Sequence, residues 1–144
     1  MEKIKEYHRA QLFDGIDTGD AQHLLGQCET LWLNPGDVLL SPEMDNGSLF
    51  YLVEGEMSVH LGDITNPALD VFRAGECAGE LSFLDGKRPS AYVVASDRSE
   101  VLKIDAQVLT GLVQSSHRVA INLIHILTSR MRFGLGKLSD TYEN

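Results

Sequence analysis

The chain has 144 residues, 43 % hydrophobic and 23 % charged, with 13 Gly and 4 Pro; this is the make-up of one globular domain and excludes a disordered or collagen-like chain. Twelve Lys plus Arg against 21 Asp plus Glu leave a formal charge of -9, which repels a phosphate backbone and argues against direct contact with nucleic acid. Cys28 and Cys77 are too few for a disulfide scaffold, the start Met1-Glu2-Lys3-Ile4-Lys5-Glu6 is charged where a secretory peptide is apolar, and no apolar run has membrane-spanning length, so the expectation is a cytoplasmic protein with reduced thiols and no membrane partner.

Residues 2–13 place Ile4, Tyr7, His8 and Leu12 at helical spacing and predict a short amphipathic helix. A second helix is signalled by Asp17 or Thr18 as cap, then Ala21, Leu24 and Leu25, with Gly26 near its end. These N-terminal helices occupy 1–27. From 28 to 104 the apolar runs become short: 31–33, 38–40, 49–53, 57–61, 69–72, 91–95 and 101–104. Turn signals such as Asn34-Pro35-Gly36-Asp37, Asp45-Asn46-Gly47 and Glu54-Gly55-Glu56 separate them, at a spacing typical of an antiparallel sandwich or barrel. Met57, Val59 and Leu61 alternate with Glu56, Ser58 and His60, which leaves one strand face wet. The fold class expected is mainly β with flanking helices, a jelly-roll-like β-roll of the double-stranded β-helix kind. After Asp105 the pattern is helical to about residue 139: Val108, Leu109 and Leu112 first, then a long helix from about Ser116. That helix carries two apolar stripes, Ala120, Ile124, Leu127 and Met131 beside Val119, Leu123 and Ile126. So broad an apolar surface predicts one face on the domain and the other on a second copy, a homodimer through the C-terminal helix, with burial of both faces inside a monomer as the alternative. Gly134 and Gly136 each cost about 1 kcal/mol inside a helix, so helical order is expected to fade there, and the polar tail 140–144 to fray.

Several chemistries fail on spacing. A triphosphate loop needs four residues between its first Gly and Gly-Lys, then Ser or Thr; six residues lie between Gly79 and Gly86-Lys87, and Arg88 follows. Neither Gly-x-Gly-x-x-Gly nor Gly-x-Ser-x-Gly occurs. A metal-dependent barrel enzyme would need several His and carboxylate ligands converging inside the roll. Of five histidines only His60 falls on a predicted strand, on its wet side, while His117 and His125 are more than two helical turns apart. The chain is therefore expected to be no enzyme, with no metal and no required cofactor.

One segment interrupts the β rhythm. Gly79-Glu80-Leu81-Ser82-Phe83-Leu84-Asp85-Gly86 lacks alternation and is bounded by glycines, which predicts a single helical turn at 79–86, within an insertion that spans 79–91. Gly79 permits close backbone approach, and the free amides opening a short helix converge on an anion. The amides of Ser90 and Ala91 on the next strand can reach the same point. Glu80 beside such a nest suits a partner that offers hydroxyls, and a ribose phosphate satisfies both halves.

With that segment in view, the chain resembles the cyclic nucleotide-binding domain, as found in catabolite activator proteins and protein kinase regulatory subunits. The resemblance rests on an ordered set: Asn34-Pro35-Gly36-Asp37-Val38-Leu39, Leu49-Phe50-Tyr51-Leu52-Val53-Glu54-Gly55-Glu56-Met57, Ala74-Gly75-Glu76, and Gly79-Glu80-Leu81. It covers about residues 12–138. It implies that Glu80 holds a ribose 2'-hydroxyl, that the amides around Gly79, Leu81, Ser90 and Ala91 hold a cyclic phosphate with Ser82 in the same cradle, and that the C-terminal helix closes over the base near Leu127, Thr128 and Arg130. The implied ligand is cyclic AMP or cyclic GMP. Relatives that read DNA carry a further helix-turn-helix module, and this sequence is expected to lack one.

One departure bears on affinity. The family pattern places an arginine directly before the small pair, whereas here Arg88 precedes Pro89, Ser90 and Ala91. A one-residue shift turns an extended side chain to the opposite side, and a residue before proline is held extended, so Arg88 by default points away from the phosphate; Arg88 or Lys87 is long enough to reach back if the loop rearranges. A charged hydrogen bond is worth about 1.5–3 kcal/mol, so its loss weakens binding roughly 10- to 150-fold. The leading expectation is a regulatory sensor that signals through its C-terminal helix. The alternative is a nucleotide-independent dimerisation or interaction module of the same fold.

Overall fold

The structure is a computed structural model that describes residues 12–16, 22–23 and 26–143, with the side chains of Leu81 and of 134–143 outside the description. Eight strands follow in order: β1 (Glu29–Leu33), β2 (Val38–Leu40), β3 (Ser48–Glu54), β4 (Glu56–His60), β5 (Asp70–Arg73), β6 (Cys77–Ala78), β7 (Tyr92–Ala95) and β8 (Ser99–Asp105). A short helix, α1 (Glu80–Asp85), interrupts them between β6 and β7, and α2 (Ala106–Ser115) and α3 (His117–Glu143) end the chain. The strands form two antiparallel four-stranded sheets, ordered β1-β8-β3-β6 and β2-β7-β4-β5. This is the expected β-roll with a long C-terminal helix.

Side-chain alternation sets what each face buries. On β4, Met57 and Val59 are buried while Glu56, Ser58 and His60 are half-exposed. On β3 both faces are covered: Phe50 and Leu52 join Phe72, Val93 and Val101 between the sheets, and Leu49 joins Ile104, Leu112, Val119 and Ile126 under the helices. Phe13 meets Tyr51 edge-on at 5.0 Å on that second side. The stripe Val119, Leu123 and Ile126 is buried, while Ile124 and Met131 of the other stripe are exposed.

The two expected N-terminal helices fall largely outside the described residues; within them, 12–15 form a turn and Gln22 and His23 are helical. The buried Asn122 side chain donates to the carbonyls of Leu12 (2.8 Å) and Asp14 (2.9 Å), which fastens this segment to α3. The backbone stays helical past Gly134 and Gly136 to Glu143, against the expectation of fading order. Two penalties of about 1 kcal/mol are small against the hydrogen-bonded ladder of a long helix, and propagation adds one bond per residue fixed.

Gly55 turns the chain between β3 and β4 at φ 109°, and a Cβ there would lie 2.6 Å from the Arg98 carbonyl oxygen and 2.7 Å from Ser99 Cα. Backbone atoms cannot yield as a side-chain tip can. Gly55→Ala is expected to destabilise the domain by about 2–3 kcal/mol, from strain at positive φ plus the clash, read as a lower urea midpoint with unchanged slope; a shift below about 0.5 kcal/mol would mean the turn relaxes freely.

Candidate functional site

The inserted helix is bracketed by glycines for a conformational reason. Gly79 (φ 88°) and Gly86 (φ 73°) both lie in the left-handed region, where other residues are strained. A Cβ on Gly79 would also sit 2.9 Å from Asn46 Nδ2 and 3.0 Å from the Ser48 carbonyl oxygen, so only glycine lets the β2–β3 loop close on this corner. Phe83 N donates to Gly79 O (3.0 Å) and Gly86 N to Ser82 O (3.0 Å). The amides of Glu80, Leu81 and Ser82 open the helix, where a helix offers its amides no acceptor of its own.

A cavity of about 290 Å³ lies beside this corner, near the lower end of small-molecule sites. Its walls are mainly apolar, from Val59, Leu61, Leu69, Phe72, Val93 and Phe133, with polar groups from Asp70, Glu80, Ser82, Ser90 and Arg130. Gly79, Pro89 and Ala91 also line it. Of the candidates read from sequence, Gly79, Glu80, Ser82, Ser90 and Ala91 therefore border one cavity. Leu81 has its backbone in α1, and its side chain lies outside the described residues.

Arg88 is elsewhere. Its Nε donates to Asp45 Oδ1 at 3.1 Å, its side chain is 62 % exposed, and Pro89 stands at the cavity in its place. The candidate Arg88 is thus parted from the other candidates, in keeping with the extended backbone that proline favours in the residue before it, where neighbouring side chains face opposite ways.

A largely buried ion pair joins the inserted helix to α3. Glu80 is only 3 % exposed. Arg130 Nη1 donates to both of its carboxylate oxygens, at 2.8 Å to Oε2, and Nη2 donates to the Cys77 carbonyl at 2.6 Å. The guanidinium lies 4.4 Å above the Phe72 ring. Among the lid candidates, Arg130 enters the cavity wall. Leu127 is half-buried, and Thr128 is exposed with its hydroxyl donating to the Ile124 carbonyl at 2.8 Å. Phe133, which the sequence reading did not single out, also lines the cavity; it follows Arg130 at i+3, the spacing that puts two residues on one helix face.

Cys77 lies fully enclosed under this pair. Burial, then the Glu80 carboxylate, push its thiol far above the ordinary range, with Arg130 opposing. The group stays protonated and is a packing element, not a nucleophile. The Cys28 thiol is raised too, by burial and then by Asp105. Among the described residues no group of three His, Cys, Asp or Glu stands close enough to hold a metal ion, and no helix is long and apolar enough to cross a membrane.

Similarity to known proteins points the same way as this geometry. Residues 30–116 match the cyclic nucleotide-binding domain family. The catabolite activator protein of Thermus thermophilus shares the fold with a TM-score of 0.79 and 22 % identity, over 91 % of this chain and 62 % of that one. A cyclic nucleotide-binding domain from Methylobacillus flagellatus gives a TM-score of 0.77 and 22 % identity, over 92 % of this chain and 78 % of its own. A Rhodopseudomonas palustris protein whose name assigns it to potassium channels is 23 % identical over 122 residues, 85 % of this chain and 30 % of that protein. The chain thus spans less than two thirds of the first and last of these relatives. With the matched segment covering strands β2 to β8, the inserted helix and the whole of α2, the chain belongs to the cyclic nucleotide-binding domain family.

Proposed function

We propose that the domain is a cytoplasmic regulatory sensor, not an enzyme, that takes cyclic AMP or cyclic GMP weakly and passes occupancy to its C-terminal helix. The observation that carries this reading is the Glu80–Arg130 pair, because one partner lines the cavity on α1 and the other sits on α3. Glu80 has only two oxygens to share, so a ribose hydroxyl that donates to it competes with or re-aims the guanidinium. A ligand shifts a helix only through unequal affinity for its arrangements, and this joint supplies the inequality. The phosphate is served by the amides of Glu80, Leu81, Ser82, Ser90 and Ala91 and the base by Phe133 and the apolar wall. Comparison of cyclic AMP with its 2'-deoxy analogue tests the ribose role of Glu80: roughly tenfold weaker binding of the deoxy form is expected for a lost charged hydrogen bond, and equal affinity contradicts it.

The output face is the exposed stripe of α3, which we assign to a second copy of the chain. Ile121, Ile124 and Met131 are 40, 59 and 67 % exposed, at helical spacing on a surface that water does not reward. A dimer is expected in sedimentation at micromolar concentration, with Ile124→Glu plus Met131→Glu sedimenting as a monomer of unchanged thermal stability; a wild-type monomer contradicts the assignment.

A second reading keeps the fold and the pairing and drops the nucleotide. Pro89 at the cavity and Arg88 held at the surface by Asp45 favour it. Absence of binding at millimolar cyclic nucleotide, with the dimer intact, would select it.

A further inference from the structure

From the Asn46–Ser82 contact we infer that the Ser82 hydroxyl is an additional donor to the ligand's anionic group, and that Asn46 is the positioning residue that aims it; this rests on the anion-binding reading of the cavity above. Ser82 lines the cavity, is 3 % exposed, and sits one turn into α1. Asn46 Nδ2 donates to Ser82 Oγ at 2.9 Å and to the Ser48 carbonyl at 2.8 Å, while its Oδ1 accepts from the Ser48 amide at 3.1 Å. That last bond fixes which way the Asn46 amide points, so the atom facing Ser82 is a donor.

The consequence falls on the Ser82 proton. With one lone pair of Oγ engaged by Asn46, the hydroxyl hydrogen must seek another acceptor, and the one it has is the Gly79 carbonyl at 3.4 Å. That is long for an O–H···O bond, whose usual length is about 2.7–2.8 Å, and Gly79 O already accepts from Phe83 N. Ser82, a buried residue of the cavity wall, therefore has a hydroxyl whose bond to its acceptor is long and whose oxygen accepts from the Asn46 amide. An anion entering the cavity offers a better acceptor, and a charge-assisted O–H···O bond is among the shorter and stronger kinds. The remaining cation of the cavity wall, Arg130, already donates to Glu80 and to the Cys77 carbonyl. With Arg88 outside, a neutral hydroxyl takes on part of the task a guanidinium would perform.

Calorimetric titration of the full chain with cyclic AMP and, separately, with adenosine tests this. Ser82→Ala and Asn46→Ala are each expected to weaken cyclic AMP binding roughly tenfold or more and to leave adenosine binding unchanged, because only the phosphate-bearing ligand uses the hydroxyl. The double variant is expected to bind no more weakly than Ser82→Ala, since Asn46 acts through Ser82. Equal loss for adenosine would mean a merely structural role, and wild-type affinity in Ser82→Ala overturns the inference. Inorganic phosphate, followed at the Glu80–Ser82 amide resonances, separates the two claims. Shifts with phosphate that vanish in Ser82→Ala, but no nucleotide binding, would sink the nucleotide reading and keep the donor; no shift with either probe sinks both.

Discussion

Arg130→Met is expected to lower the unfolding free energy by about 3 kcal/mol at neutral pH, and adding Glu80→Gln to return most of that loss. The Glu80 and Arg130 side chains are 4 % and 19 % exposed, so water does little to screen them. Removing the guanidinium leaves a buried carboxylate with no cation beside it, and strips the Cys77 carbonyl of a donor. Breaking one partner of a buried pair is far costlier than replacing both by neutral groups. Urea denaturation reads the effect as a lower midpoint at constant slope. A loss under about 1 kcal/mol would place the pair with solvent-screened surface bridges. Loss that Glu80→Gln fails to recover would trace it to packing of the Arg130 stem and head over Phe72 rather than to charge.

Exchanging the order of two residues, Arg88→Pro with Pro89→Arg, is expected to tighten cyclic AMP binding roughly 10- to 150-fold, the worth of one charged hydrogen bond. In the native order Arg88 is at the surface on Asp45 and Pro89 faces the cavity. Moving the cation one residue along an extended segment carries it to the other side of the chain. The cost of releasing Arg88 is small, since an exposed pair is worth only about 0.2–1 kcal/mol. Unchanged affinity in the swap would show that Arg88 already leaves Asp45 to reach the ligand, or that the amides and Ser82 hold the anion without it.

Most of this architecture is legible in the residues themselves. Alternation at Met57 and Val59 and the turn at Glu54-Gly55-Glu56 locate β4 to within a residue, because one wet face imposes a period of two. The break at 79–86 is legible because two glycines bound a segment without alternation, and it folds as a helix with glycine at both caps. Strand β6 is not legible: Cys77–Ala78 has two residues, too few for any period, and exists because Phe50 and Tyr51 supply its partners. Which apolar stripe of α3 turns inward is likewise undetermined by spacing, since both stripes repeat at three and four residues. Packing against Leu49, Ile104 and Leu112 decides it for Val119, Leu123 and Ile126.

The site shows the same division. Glu80 and the amides around Gly79 follow from a local motif, so adjacent residues reveal them. Arg130 lies 50 positions from its partner Glu80 and Asn46 lies 36 from Ser82, and contacts of that separation are set by how helix and loop return to the roll. The expectation that Arg88 faces away could be reached early because proline restricts its neighbour within a single peptide unit.

The most direct test is calorimetric titration of the unmodified chain with cyclic AMP and cyclic GMP to millimolar concentration. Saturable heat from at least one nucleotide, lost when Glu80 is replaced by alanine in a variant that still unfolds cooperatively, is the result expected of a nucleotide sensor. No heat from either, in folded protein, would contradict it.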